Sequence, residues 1–77
     1  MNELEIVKDI MNETGTSNAK MGRMVGATHN AIFGRFKQNT ISVKNLNAML
    51  RALDYKIVIQ PRGDKTPSGA YVVERED

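Results

Sequence analysis

Thr28, His29 and Asn30 follow directly on Gly26 and Ala27 in the stretch MGRMVGATHNAIFGRF. All three are hydrogen-bonding types that suit the edges of base pairs. The Asn30 amide could pair with adenine through two bonds, and His29 could donate to a guanine acceptor. Thr28 could cap a helix while touching phosphate, or set its methyl against that of thymine. Phe33, one turn further on, offers an apolar contact to the same methyl group or lies partly buried at the helix edge. Lys37 and Lys44 are candidate phosphate contacts, and a helix starting at Ser17 and Asn18 would present free N–H groups to an anion. No comparable reactive constellation exists. Acidic residues do not pair around a cluster, and no Ser or Lys nucleophile has a partner base. With no cysteine and His29 as the single histidine, a structural zinc site has no ligand set. These residues predict a binding protein rather than an enzyme, with no cofactor and no metal; a polar contact suits His29 better than a pH switch.

Such residues work only if helices hold them. Asn2, with Glu5 three residues on, predicts a capping box for a helix over about 3–13, with Leu4, Val7, Ile10 and Met11 buried and Gly15 ending it. Ser17 caps a second helix, with Met21, Met24 and Val25 as its buried face. Thr28 caps a third, with Ala31, Ile32 and Phe36 as apolar positions. Ser42 caps a fourth, in which Val43, Leu46, Met49, Leu50 and Leu53 form a broad apolar face before Asp54. The methionines at this spacing are read as core filler. From Tyr55 the period changes to two: YKIVIQ alternates Tyr55, Ile57 and Ile59 against Lys56, Val58 and Gln60, and Pro61 ends it. AYVVE, residues 70–74, is a second strand candidate beyond a turn-rich loop, and the charged end that follows is expected to fray. The RGD tripeptide in that loop is taken as coincidence.

The spacing from Gly22 to Ile32 implies a specific crossing. Two helices joined by three or four residues approach at a steep angle, so the first needs a small residue at the contact, supplied by Gly22. The turn needs a residue tolerant of positive φ, supplied by Gly26. Ala27 is a small plug under the turn, and Ile32 reaches back to Met21 and Val25. This is the layout of a helix-turn-helix, in which residues 28–30 project outward into a major groove.

At 77 residues the chain is one domain with a marginal core. Without disulfides or metal, a partner subunit is the expected stabilising device. The net charge is +2, yet residues 18–62 hold eight lysines and arginines against Asp54 alone, a net +7, while both ends are acidic. The middle therefore suits a polyanion. No signal peptide and no apolar run of membrane-spanning length is evident, so a soluble intracellular protein without membrane contact is expected.

Over residues 16–60 the chain resembles the Cro/phage-repressor (XRE) helix-turn-helix family. Asn18 stands where a glutamine usually opens that motif, Gly26 is its turn glycine, and ATHNAI occupies the place of VSQSAI-like text. ISVKNLNAMLRALDYKIVI is similar to the family's last helices followed by a strand, closest to HipB-type antitoxins and small phage or mobile-element regulators. Gly22 replaces the usual alanine, which is expected to loosen the second helix. Arg35 replaces an apolar residue, so that Phe36 substitutes in the core. The resemblance implies a mainly α fold of four to five helices, with a helix-turn-helix domain over 1–60 (motif about 17–37). It also implies a short C-terminal β element over 55–75, pairing within the subunit, across a homodimer, or both, through Tyr55, Ile57, Val58 and Ile59. It further implies a cytoplasmic, nucleoid-associated regulator encoded by a bacterium or phage, most simply a repressor of a palindromic operator in double-stranded DNA. The alternatives are an antitoxin that also grips a toxin, and a phage inhibitor that binds a host protein.

Overall fold

Four helices form where caps and apolar stripes direct them: α1 Glu3–Thr14, α2 Asn18–Val25, α3 His29–Lys37 and α4 Val43–Ala52, in a computed structural model that describes residues 1–75. Each helix start is fixed by its own neighbours. Asn2 N–H donates to Glu5 Oε1 (2.8 Å) and Glu5 N–H to Asn2 Oδ1 (2.9 Å), a reciprocal capping box. The hydroxyls of Ser17, Thr28 and Ser42 each accept from the N–H three residues on, at 3.1 Å. A cap of this kind is worth about 1 kcal/mol, so the boundaries are set locally before any packing.

The core joins Val7, Ile10 and Met11 of α1 to Met21 of α2, Ile32 of α3, Met49 and Leu50 of α4, and Leu53 just beyond it. α2 packs on α3 and on α4, and α1 packs on α4. Val25, Ala27, Phe36 and Ile41 lie half-buried against this cluster. Phe36 is thus the core contact that Arg35 does not supply.

Three apolar positions expected inside lie outside. Met24 is 42% exposed, because the buried arc of α2 is centred between Met21 and Gly22 and turns Met24 away. Ala31 is exposed, on the side of α3 opposite Phe36. Val43 is 72% exposed at the first turn of α4, ahead of the residues that meet the core. Conversely, Ile6 is buried, because α1 is covered on a wider arc than its main stripe requires.

The expected C-terminal strand or hairpin is absent among the described residues, which hold four helices and no strand. Residues 55–60 and 70–74 exchange no backbone hydrogen bonds. A two-stranded hairpin is marginal by itself, and here the second segment has a better partner in α1. Glu74 N–H donates to the Met1 carbonyl (2.9 Å), Tyr71 O–H donates to Asp9 Oδ2 (2.8 Å), and Arg75 forms an ion pair with Glu3. Arg75 also donates to the Asn39 carbonyl (2.7 Å). Of the charged end expected to fray, Arg75 makes these contacts, and Glu76 and Asp77 lie outside the described residues. The two C-terminal segments meet through the Tyr55 and Tyr71 rings, whose centroids are 6.3 Å apart. Between them opens a cleft of about 420 Å³, lined by Ile6, Ile10 and Leu50 from the helices and by Ile57 and Val72 from the segments. In the single chain Ile57 is 40% exposed and Ile59 96%, while Tyr55 alone of that alternating set is half-buried. No helix among the described residues is long and apolar enough to cross a membrane.

Candidate nucleic-acid interface

The crossing of α2 and α3 is built around two glycines with different tasks. Gly26 has φ +74°, a left-handed conformation that costs other L-residues about 1–2 kcal/mol, and a Cβ there would meet nothing. Its role is conformational. Gly22 is helical, but a Cβ on it would stand 2.5 Å from the Ala27 carbonyl oxygen and 3.3 Å from the Thr28 carbonyl carbon. Its role is steric. The Ala27 N–H meanwhile donates to the Gly22 carbonyl at 2.7 Å, closing the turn on the same residue. Gly22 is thus the small contact residue of the crossing, where the backbone of the turn occupies the space of a methyl group.

This reversal leaves the first turn of α3 facing outward. Thr28, His29 and Asn30 are all exposed. Thr28 Oγ1 is engaged as the cap to Ala31 N–H, which leaves its methyl and its remaining lone pair available. Phe33 is 49% exposed, and the Lys37 ammonium lies 4.7 Å from its ring centroid. Sequence reading treated these two residues separately. Their i, i+4 spacing was the signal for the contact, worth about 0.5–1 kcal/mol at an exposed site. It holds a positive charge beside the exposed ring of Phe33.

Ser17 and Asn18 mark the start of α2, at the opposite end of that helix from the turn. Ser17 Oγ satisfies Lys20 N–H, while the first backbone bond back along the helix is from Met21 to the Ser17 carbonyl (2.9 Å). The N–H groups of Asn18 and Ala19 precede it and have no partner within the helix, which is the arrangement an anion needs. Lys44 is exposed in the first turn of α4. Among the described residues, Lys20, Arg23, Lys37 and Lys44 are all exposed and none is in an ion pair, so their charge is uncompensated at close range.

Tyr55, Ile57, Val58 and Ile59 stand apart from this face. Val58 is 63% exposed, and with Ile57, Ile59, Val72 (52%) and Val73 (53%) it makes the C-terminal segments the most apolar part of the surface. The bonds of Tyr71 and Arg75 to α1 and to Asn39 escaped sequence reading, since they join residues more than thirty positions apart. No family model, curated protein or solved structure matches this chain, so its own geometry carries the functional reading.

Proposed function

We propose that this chain is a sequence-specific DNA-binding regulator of transcription, most simply a repressor, acting as a homodimer. The observation that carries the reading is the tight crossing at Gly22 and Ala27, with residues 28–30 exposed beyond it. A turn this close presents the start of α3 as a blunt polar tip, the shape that enters a major groove. Asn30 pairs with an adenine edge, His29 contacts a neighbouring base, and Phe33 meets a thymine methyl. Ser17, Asn18, Lys37 and Lys44 hold the flanking phosphates and set the register. Occupancy of a promoter then excludes polymerase without any cofactor or chemistry.

Dimerisation rests on the C-terminal segments. Ile57 and Ile59 are exposed, and residues 55–60 have no ladder partner, a template for pairing with a second chain. Pairing of these segments from two copies buries the apolar side chains and provides the short β element that a single chain lacks. Two α3 helices about 34 Å apart would then read the half-sites of a palindrome.

Selection of binding sites from random duplexes with the purified protein tests the reading. The expected result is an enriched palindrome whose affinity falls steeply with salt. With that duplex, Asn30→Ala should lose about 1–3 kcal/mol of preference over random DNA, whereas Lys37→Ala should weaken both alike. Failure to enrich any site, with duplex affinity insensitive to salt, would overturn DNA binding in favour of a protein partner.

A further inference from the structure

Gly34 is a mid-helix glycine with no task inside the molecule. It lies in α3 without positive φ, and a Cβ built on it meets nothing within 4 Å. Neither the conformational reason that holds at Gly26 nor the steric reason that holds at Gly22 applies. Glycine is nonetheless the poorest helix former after proline, in a helix of only nine residues.

Its position on the helix suggests what the missing side chain serves. Gly34 is two residues from Ile32 and two from Phe36, the pair that faces the core. At 3.6 residues per turn that sets it roughly 160° from each, at the centre of the outward face. Asn30 stands one turn before it on the same line. Ala31, exposed and small, borders it on one side; Phe33 and Lys37, joined by their 4.7 Å contact, border it on the other. Gly34 itself is half-buried between these neighbours, with room for a Cβ above it, so the outer surface of α3 dips there beside the Phe33 ring.

We infer that Gly34 is a close-approach position, at which the bare backbone of α3 seats against base-pair edges on the floor of the major groove. This rests on the DNA-binding reading and adds a specificity-determining residue to it. With a side chain at 34, the helix would be held off the floor, and Asn30 and Phe33 would lose reach together. The phosphate contacts, set by α2 and by the lysines, tolerate that displacement better.

Gly34→Ala separates this role from a structural one, because alanine favours the helix and has room. The measurements are thermal unfolding of the free protein, and affinity for the duplex selected above against a random duplex at one salt concentration. The expected result is a Tm raised by roughly 4–8 °C, with at least a tenfold loss on the selected duplex and little change on the random one. An unchanged affinity for the selected duplex, or a lowered Tm, would overturn the inference while leaving the functional reading intact. If the unsubstituted protein itself fails to distinguish the two duplexes, the functional reading falls, and this inference falls with it.

Discussion

Gly22 and Gly26 at the α2–α3 turn, and Ile57 and Ile59 in the C-terminal segments, answer to different kinds of constraint. At the α2–α3 turn each residue is explained by atoms of the same chain: a carbonyl oxygen where a methyl would go, and a left-handed φ that glycine accepts. In the C-terminal segments several apolar side chains are left exposed by their own chain. Ile59 is 96% exposed, and residues 55–60 pair with nothing in a ladder. A region satisfied by its own chain folds without help. A region of exposed β-branched residues offers surface to a partner, and under the proposed function that partner is a second copy.

The sharpest way to break this contrast is to substitute both isoleucines. Ile57→Lys with Ile59→Lys changes exposed positions, so the helical domain should keep its far-ultraviolet circular dichroism and most of its thermal stability. Affinity for a palindromic duplex should nevertheless fall by about 10²–10⁴-fold, as two linked contacts become independent. Sedimentation would show the mass halved. A double variant that keeps both the mass and the affinity of the parent would leave the C-terminal region without a role in assembly.

The next largest effect lies at the turn. Gly22→Val drives a branched side chain into the backbone of Ala27 and Thr28, which should cost roughly 2–3 kcal/mol through overpacking. Tm should drop by roughly 10–20 °C, and DNA binding should be lost with it. Gly26→Ala should cost less, about 1–2 kcal/mol, because the methyl has room and only the positive φ opposes it. Gly26→Asn should recover part of that loss, since asparagine tolerates the left-handed region. Equal losses for Gly26→Ala and Gly26→Asn in chemical denaturation would argue against a purely conformational role.

The same contrast explains what the sequence made legible. The four caps and both turn glycines follow local rules, in which residues a few positions apart satisfy one another; these elements were readable to within a residue or two. Met24 and Ala31 were misplaced because apolar type and helical spacing do not fix how far each helix is rotated, and Val43 because they do not say where along α4 the core begins. For α2 the rotation that places Met21 and Gly22 inward accompanies the approach at Gly22, whose neighbour is the backbone of the turn. The strands at 55–60 and 70–74 were misjudged for a related reason. Their alternation is compatible with a ladder, but which partner prevails depends on Asp9, Glu3 and the Met1 carbonyl, far away in sequence. The outward tip at residues 28–30 was legible because it follows from the turn, whereas the clasp between Phe33 and Lys37 was recorded in spacing and overlooked.

The smallest effect concerns the strap that residues 71–75 draw across α1, and it is read through pH. Hydrogen bonding of Tyr71 to the Asp9 carboxylate, helped by burial and by the nearby negative charge, pushes the Tyr71 hydroxyl up to about 12 from an ordinary value of 10.0. The folded protein thus keeps a proton that the unfolded chain releases near pH 10. The contribution of this contact is full below pH 10 and is lost as pH rises from there through about 12. The chain has two tyrosines, so Tyr71→Phe leaves Tyr55 alone and the difference between the two tyrosinate titrations isolates Tyr71. The difference curve should rise near pH 12, and the variant should lose less stability than the parent between pH 10 and 12. An ordinary midpoint near 10 would show that the strap does not hold Asp9 in solution, and residues 71–75 would then be held by the Arg75–Glu3 pair, the Glu74–Met1 bond and apolar contact.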